Sequence, residues 1–205
     1  MENDFVNYKK IIAETNSQMF NVRDEFKNNT VEENQTICKN DRLPFSVGMI
    51  NVTGDLNIGM AARSACLMGA ENFYIFGRRK FDARSTVGAE NYINIVQYVF
   101  DDPINCDVEI NTELSHLSDI RHDIILCEHD GRSLGSFEWK DVISPVKGIT
   151  PLFLFGSESH GINKIILDNP LFDKVSIPQR GVLRSFNVSA ACNIILWDYC
   201  KEMFL

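Results

Sequence analysis

At 205 residues, with 44% hydrophobic and 23% charged side chains, the chain is sized for one well-buried globular domain. No apolar run approaches the ~20 residues a membrane span needs, and the N-terminus lacks the charged-then-apolar pattern of a secretory signal; an intracellular, cytoplasmic protein without a membrane partner is expected. A net charge of −8 excludes a uniformly basic surface, though not a local basic patch, and Arg78-Arg79-Lys80 with Arg84 supplies one.

Residues 1–44 form an N-terminal extension. Phe5, Tyr8, Ile11, Ile12, Met19 and Phe20 are spaced for one or two amphipathic helices, so a helical arm is expected, followed by a loose linker over 28–42. From residue 45 to 205 the texture is that of a single α/β domain. Phe45–Thr53 reads as a strand, Ile58–Met68 as a helix opened by Asn57 and stopped by Gly69, and Asn72–Gly77 as the next strand. Strand, helix and strand with short turns make a right-handed parallel βαβ unit.

A basic loop over 78–91 follows, then a short strand within Ile93–Phe100 and a helix around Thr112–Leu117. Asp123–Cys127 reads as a buried strand ending in a turn, Glu128–Gly131. Ser133–Val146, with Phe137 and Trp139, is expected as an edge or cover element. The remainder alternates: strand Leu152–Phe155, helix Ile162–Leu167, strand Val175–Ile177, and a long helix Val188–Phe204. The fold class is therefore α/β, a single mostly parallel sheet with helices on both faces.

Six cysteines (Cys38, Cys66, Cys106, Cys127, Cys192 and Cys200) are scattered without a Cys-x-x-Cys pair. They read as reduced small residues rather than disulfides or a zinc site. The four histidines show no ligand spacing, so no metal is expected. There is no Walker loop and no Gly-x-Gly-x-x-Gly after the first strand. Ser157-Glu-Ser-His-Gly161 approaches the nucleophile elbow of hydrolases but has Ser where that motif needs its first Gly.

Chemistry-bearing residues concentrate at two strand-to-helix turns and one helix. Arg63 sits in a helix of otherwise small and apolar residues, as a snorkelling surface arginine or a guanidinium aimed at an anion. Glu158 follows a strand and Gly156, as a helix cap or a site carboxylate. Ser185 and Asn187 flank Phe186 at the mouth of the last helix, as caps or as ligand contacts.

In order, Asn57-Ile-Gly-Met-Ala-Ala-Arg-Ser-Ala-Cys-Leu-Met-Gly-Ala70, Leu154-Phe-Gly-Ser-Glu-Ser-His-Gly161 and Ile177-Pro-Gln-Arg-Gly-Val-Leu-Arg-Ser-Phe-Asn-Val-Ser-Ala190 resemble the three motifs of the SpoU/TrmH branch of the SPOUT RNA methyltransferases. The resemblance covers residues 45–205. It implies a C-terminal trefoil knot, a homodimer with the active site at the subunit interface, and S-adenosylmethionine as cofactor. It also implies methyl transfer to a ribose 2′-hydroxyl of tRNA or rRNA.

By the same resemblance Leu126, Cys127, Gly156, Ile177, Ser185 and Phe186 would hold the cofactor. Arg63 would act on the hydroxyl, Asn57 and Glu158 would orient Arg63, and Ser185 and Asn187 would position substrate or Arg63. Phe186 departs from the leucine usual at its position. Without a separate RNA-binding module, Arg78, Arg79, Lys80, Arg84, Arg180 and Arg184 are the candidate phosphate contacts. The alternatives are a catalytically silent RNA-binding or dimerising protein on the same fold, and a base methyltransferase.

Overall fold

The computed structural model describes residues 21–50, 55–77, 81–100, 106–143, 148–158 and 160–205. In chain order these form α1 (Val31–Asn40), β1 (Leu43–Ile50), α2 (Asp55–Leu67), β2 (Ala70–Phe76), α3 (Ala83–Thr86), β3 (Asn94–Tyr98) and α4 (Cys106–Ile120). Then follow β4 (His122–Ser133), α5 (Trp139–Val142), β5 (Thr150–Phe155), α6 (Lys164–Leu167), β6 (Asp173–Ser176) and α7 (Val188–Met203).

The six strands make one sheet in the order β3-β2-β1-β5-β4-β6, with every neighbouring pair parallel. Such a sheet is covered on both faces, so the buried parts of its central strands are near-continuous apolar runs rather than alternating with polar residues. The period of two decides which core each side chain joins. Phe73 and Ile75 of β2, Ile125 of β4, and Phe153 and Phe155 of β5 pack with α2, α5 and α7. Tyr74, Phe76, Ile124, Leu126, Leu152 and Leu154, from the intervening positions, pack with α4 and α6.

The small residues predicted in the first helix let α2 lie close to the sheet: Ala61, Ala62 and Ala65 are fully buried. Gly69, at φ +82, terminates that turn in the left-handed region. The cover element is α5 and the turn before it. Trp139 is fully buried, its indole N–H donates to Asp198 at 3.0 Å, and its backbone N–H donates to Glu202 at 3.1 Å, both on α7.

Three expectations are corrected. Residues 28–42 are not a loose linker. Thr30 and Glu33 form a reciprocal capping box that starts α1, and Gln35 ties the helix to the Asn91 carbonyl at 2.9 Å. Glu128–Gly131 does not end its strand: β4 runs on to Ser133, because Cys127 and Arg132 both pair with Val175 and residues 128–131 bulge between them. The helix expected at Thr112–Leu117 is the central part of a fifteen-residue α4. The proposed N-terminal arm over residues 1–20 lies outside the described residues.

β5 slots between β1 and β4, whereas β6 returns on the far side of β4. The connection from β5 to β6 therefore passes β4, and backbones pack closely at two glycines on these strands and their turns. A Cβ on Gly131 would lie 2.6 Å from the Val175 backbone, and one on Gly156 would lie 2.5 Å from the Ile162 nitrogen. Gly131 faces the backbone of its sheet neighbour β6, and Gly156 faces the end of its own turn, so neither position has room for a side chain.

Candidate active site

A cleft of about 450 Å³ opens at the carboxyl ends of β4, β5 and β6, where ligands bind in parallel α/β sheets. Its apolar floor includes Cys127, Phe155, Val175 and Ile195. One wall is the turn from Gly156 to Ile162, and the other is Ile177 with Ser185–Val188. Of the residues assigned to the cofactor by resemblance, Cys127, Gly156, Ile177, Ser185 and Phe186 line this cleft. The Leu126 side chain points instead into the core shared with α4.

The turn after β5 is closed by two backbone hydrogen bonds, Ser157 N–H to Gly161 O at 3.0 Å and Gly161 N–H to Ser157 O at 2.8 Å. It projects Glu158 outward, so Glu158 does not cap a helix; Asn163 caps α6 by accepting from the Ile165 N–H at 3.0 Å. The Glu158 carboxylate instead accepts from the Asn57 side-chain amide at 2.8 Å. The Asn57 carbonyl accepts from the Asn187 amide at 3.1 Å. The Asn187 carbonyl caps α7, accepting from the Ser189 N–H at 3.0 Å and the Ser189 hydroxyl at 2.6 Å. Three motifs, the first of them more than a hundred residues from the other two, thus meet in one directional chain of hydrogen bonds. Asn187 is both cap and site residue.

Arg63 stands apart from this group. It is half-buried, finds no hydrogen-bond or ion-pair partner among the described residues, and does not line the cleft. It lies instead on the stripe of α2 that carries the exposed Leu56, Met60 and Leu67, at helical spacings of four, three and four. Within one chain, Asn57 and Glu158 orient each other, not Arg63.

Arg184 reaches the cleft and Arg180 is exposed on the same segment; neither has an ion-pair partner among the described residues. Arg84 forks onto Asp82, with its Nε 3.0 Å from both carboxylate oxygens, so its charge is already answered locally. That contact holds the Asp82 carboxyl below the usual carboxylate range. Arg78, Arg79 and Lys80 lie outside the described residues.

Burial pushes the Cys127 thiol well up, and the thiols of Cys66 and Cys200 to about 11. All six cysteines are free. Cys127 therefore meets a ligand as a small neutral residue and not as a thiolate nucleophile.

One cleft residue escaped the reading of the sequence. Glu128 lines the cleft, and its carboxylate accepts from the Ile162 N–H at 2.7 Å. Its partner is a backbone group 34 positions away, which no side-chain pattern marks.

No helix among the described residues is long and apolar enough to cross a membrane. No group of three or more metal-ligating side chains occurs among them.

The comparisons with known proteins agree with one another. Among curated proteins, an uncharacterized tRNA/rRNA methyltransferase of Mycolicibacterium gilvum is 23% identical over 168 residues, covering 80% of this chain and 49% of the relative. The chain thus spans about half the length of the curated relative it matches. Among solved structures, the A. aeolicus TrmH/SpoU tRNA modifying enzyme superposes with a TM-score of 0.64 at 18% identity, over 84% of this chain and 81% of that one. The SpoU methyltransferase AviRb from Streptomyces viridochromogenes, in complex with AdoMet, gives 0.58 at 22% identity, over 79% and 58%. A structure concerned with 2-OH methylation of C/U34 on tRNA gives 0.56 at 18% identity, over 78% and 95%. These likenesses establish the fold, and the model of the SpoU rRNA methylase family matches residues 44–197, three quarters of the sequence: the chain belongs to that family.

Proposed function

We propose that this protein is an S-adenosylmethionine-dependent RNA methyltransferase acting on a ribose 2′-hydroxyl of tRNA or rRNA. The observation that carries the reading is the hydrogen-bonded chain Glu158–Asn57–Asn187 at the rim of the cleft. It joins residues from all three family motifs at the rim of a ligand-sized cavity. Support for the cofactor comes from AviRb, solved with AdoMet, and support for the ribose from the relative studied for 2-OH methylation of tRNA.

The residues present suit the cofactor. A volume of about 450 Å³ is in the range of small-molecule sites, and the cleft has an apolar floor for an adenine ring beneath a polar rim. Cys127, Gly156, Ile177, Ser185 and Phe186 would hold it. When bound, the cofactor supplies a methyl group already activated by a sulfonium. The protein's own work is then to place the hydroxyl in line and help remove its proton.

An arginine is a poor free base, with a pKa above ~12. Arg63 therefore acts chiefly by stabilising the developing alkoxide, assisted by an RNA phosphate. Arg180 and Arg184 grip the phosphate backbone beside the cleft.

The same reading makes the protein a homodimer with a trefoil knot. For the knot, the support is the strand order, in which the β5–β6 connection passes β4, together with membership of the family. For the dimer, it is the exposed apolar stripe of α2 and the exposed Val182 and Leu183 on the segment before α7. Arg63 lies within that stripe, so association would carry it to the partner's cleft.

The test is to incubate the protein with methyl-labelled cofactor and total RNA and digest the product to nucleosides. A labelled 2′-O-methylnucleoside is the expected product. A labelled base would replace this reading with base methylation, and RNA binding without transfer would replace it with a silent binding protein.

A further inference from the structure

We propose that Glu128 is a positioning residue: its carboxylate clamps the turn after β5 and thereby sets the shape of the cleft and the place of Glu158. Glu128 is the first residue of the bulge in β4, where Cys127 and Arg132 both pair with Val175. A residue in regular register would be committed to the β4 ladder. Released from it by the bulge, Glu128 reaches the turn after β5, and its Oε1 accepts from the Ile162 N–H at 2.7 Å. Its Oε2 accepts from the neighbouring His129 N–H at 3.3 Å.

The turn is shaped to receive this carboxylate. Gly161 has φ +67, and a Cβ there would lie 2.6 Å from Oε1. Ile162 is buried, so its N–H has no recourse to bulk water and needs an acceptor. A charged acceptor makes the stronger bond. The paired backbone bonds between Ser157 and Gly161 transmit the anchor across the turn. Fixing Gly161 and Ile162 thus fixes Glu158, and Glu158 fixes Asn57 at 2.8 Å. Glu128 touches none of the catalytic candidates, yet the chain of contacts leading to them begins at its carboxylate.

The effect on the turn stands on geometry alone, whereas the effect on cofactor affinity rests on the proposed function. The experiment separates them, using full-length protein carrying Glu128→Ala, Glu128→Gln or Gly161→Ala. Gln keeps a carbonyl oxygen where Oε1 lies. The glycine substitution pushes the carboxylate away and serves if the first variant folds poorly. Hydrogen exchange of the Ile162 amide is read by NMR, and S-adenosylhomocysteine affinity by calorimetry.

Loss of one charge-assisted hydrogen bond predicts roughly tenfold faster Ile162 exchange and roughly tenfold weaker binding for Glu128→Ala, with Gly161→Ala alike and Glu128→Gln within about threefold of wild type. Unchanged Ile162 exchange in both Glu128→Ala and Gly161→Ala overturns the proposal. So does a Glu128→Gln protein that binds as poorly as Glu128→Ala while keeping its Ile162 amide protected, since charge and not anchorage would then matter. If wild-type protein binds no S-adenosylhomocysteine, the cofactor reading fails, and the amide exchange still decides the role of Glu128.

Discussion

Asn187 offers the sharpest separation of stability from activity, because one side chain does two jobs through two different atoms. Its carbonyl oxygen caps α7 through the Ser189 and Ala190 N–H groups and also accepts from the Ser189 hydroxyl. Its amide nitrogen donates to Asn57. Asn187→Ala removes both functions. Losing an N-cap costs about 1 kcal/mol, within a range of roughly 0.5–2. The Ser189 hydroxyl, 3% exposed, also loses its acceptor, for about another 1 kcal/mol when the hydroxyl finds a weaker partner. The total is about 2 kcal/mol, or a Tm lower by roughly 4–8 °C for a chain of this size.

Asn187→Asp keeps an oxygen for the cap and adds a charge favourable to a helix N-terminus, so its stability should stay within about 0.5 kcal/mol of wild type. It has no donor for Asn57 and sets a carboxylate against the Asn57 carbonyl. Single-turnover methyl transfer should therefore fall by about 10- to 100-fold, the scale of an ångström-sized misplacement. Urea denaturation and single-turnover kinetics on both variants decide the matter. Full activity in Asn187→Asp would show that the Asn57 link is dispensable, and an unshifted urea midpoint in Asn187→Ala would show that the cap is.

Further outcomes follow from other parts of the molecule. Gly131→Ala sets a Cβ 2.6 Å from the Val175 backbone, which cannot swing aside as a side chain would; a loss of at least about 2 kcal/mol in urea unfolding is expected. His122 is buried, with the Tyr74 hydroxyl and Thr150 on its two ring nitrogens and Arg121, Glu71 and Asp123 nearby, and burial holds its pKa below the ordinary value. Its neutral form is favoured in the folded state, so its contribution to stability is complete above the unfolded pKa of about 6.5 and is lost as pH falls towards the folded value. The urea midpoint should drop from pH 7.5 to pH 5, with a smaller drop in His122→Gln; a midpoint rising on acidification would contradict this. Arg180→Ala should reduce the slope of log affinity for RNA against log salt by roughly 0.7–0.9, one phosphate contact, while leaving S-adenosylhomocysteine affinity unchanged.

The fold was legible where hydrophobic period and strand length agree. Phe73–Phe76 of β2, Ile124–Cys127 of β4 and Leu152–Phe155 of β5 are continuous apolar runs, and the small residues of α2 announced its close packing against the sheet. α1 was missed because its composition is polar, although Thr30 and Glu33 carry a local start signal independent of hydrophobicity. The continuation of β4 was missed because Glu128-His-Asp-Gly131 has the composition of a turn. A bulge lets such a stretch leave the ladder and rejoin it at Arg132. In the site, Asn57, Glu158 and Asn187 were legible as side chains in ordered motifs. Their pairing was not, because the expectation made Arg63 the centre of the group while the hydrogen bonds run from Glu158 through Asn57 to Asn187.

In the homodimer proposed above, the position of Arg63 raises the question of which chain's cleft it serves, and subunit mixing answers it. Arg63→Ala and Glu158→Ala are each expected to abolish transfer as homodimers. If Arg63 of one chain completes the site containing Glu158 of the other, a mixed dimer holds one site with both residues intact and one with neither. Random reassortment makes half of the dimers mixed, so activity should return to roughly a quarter of wild type. If both residues act within one chain, every site in the mixture lacks one of them and no activity returns. The α2 stripe predicts recovery: a half-buried arginine between Met60 and Leu67 lies on a surface suited to a partner, and its own cleft is lined without it. Mixtures that exchange subunits yet stay silent would place Arg63 back in its own chain's site and require α2 to move towards that cleft when RNA binds.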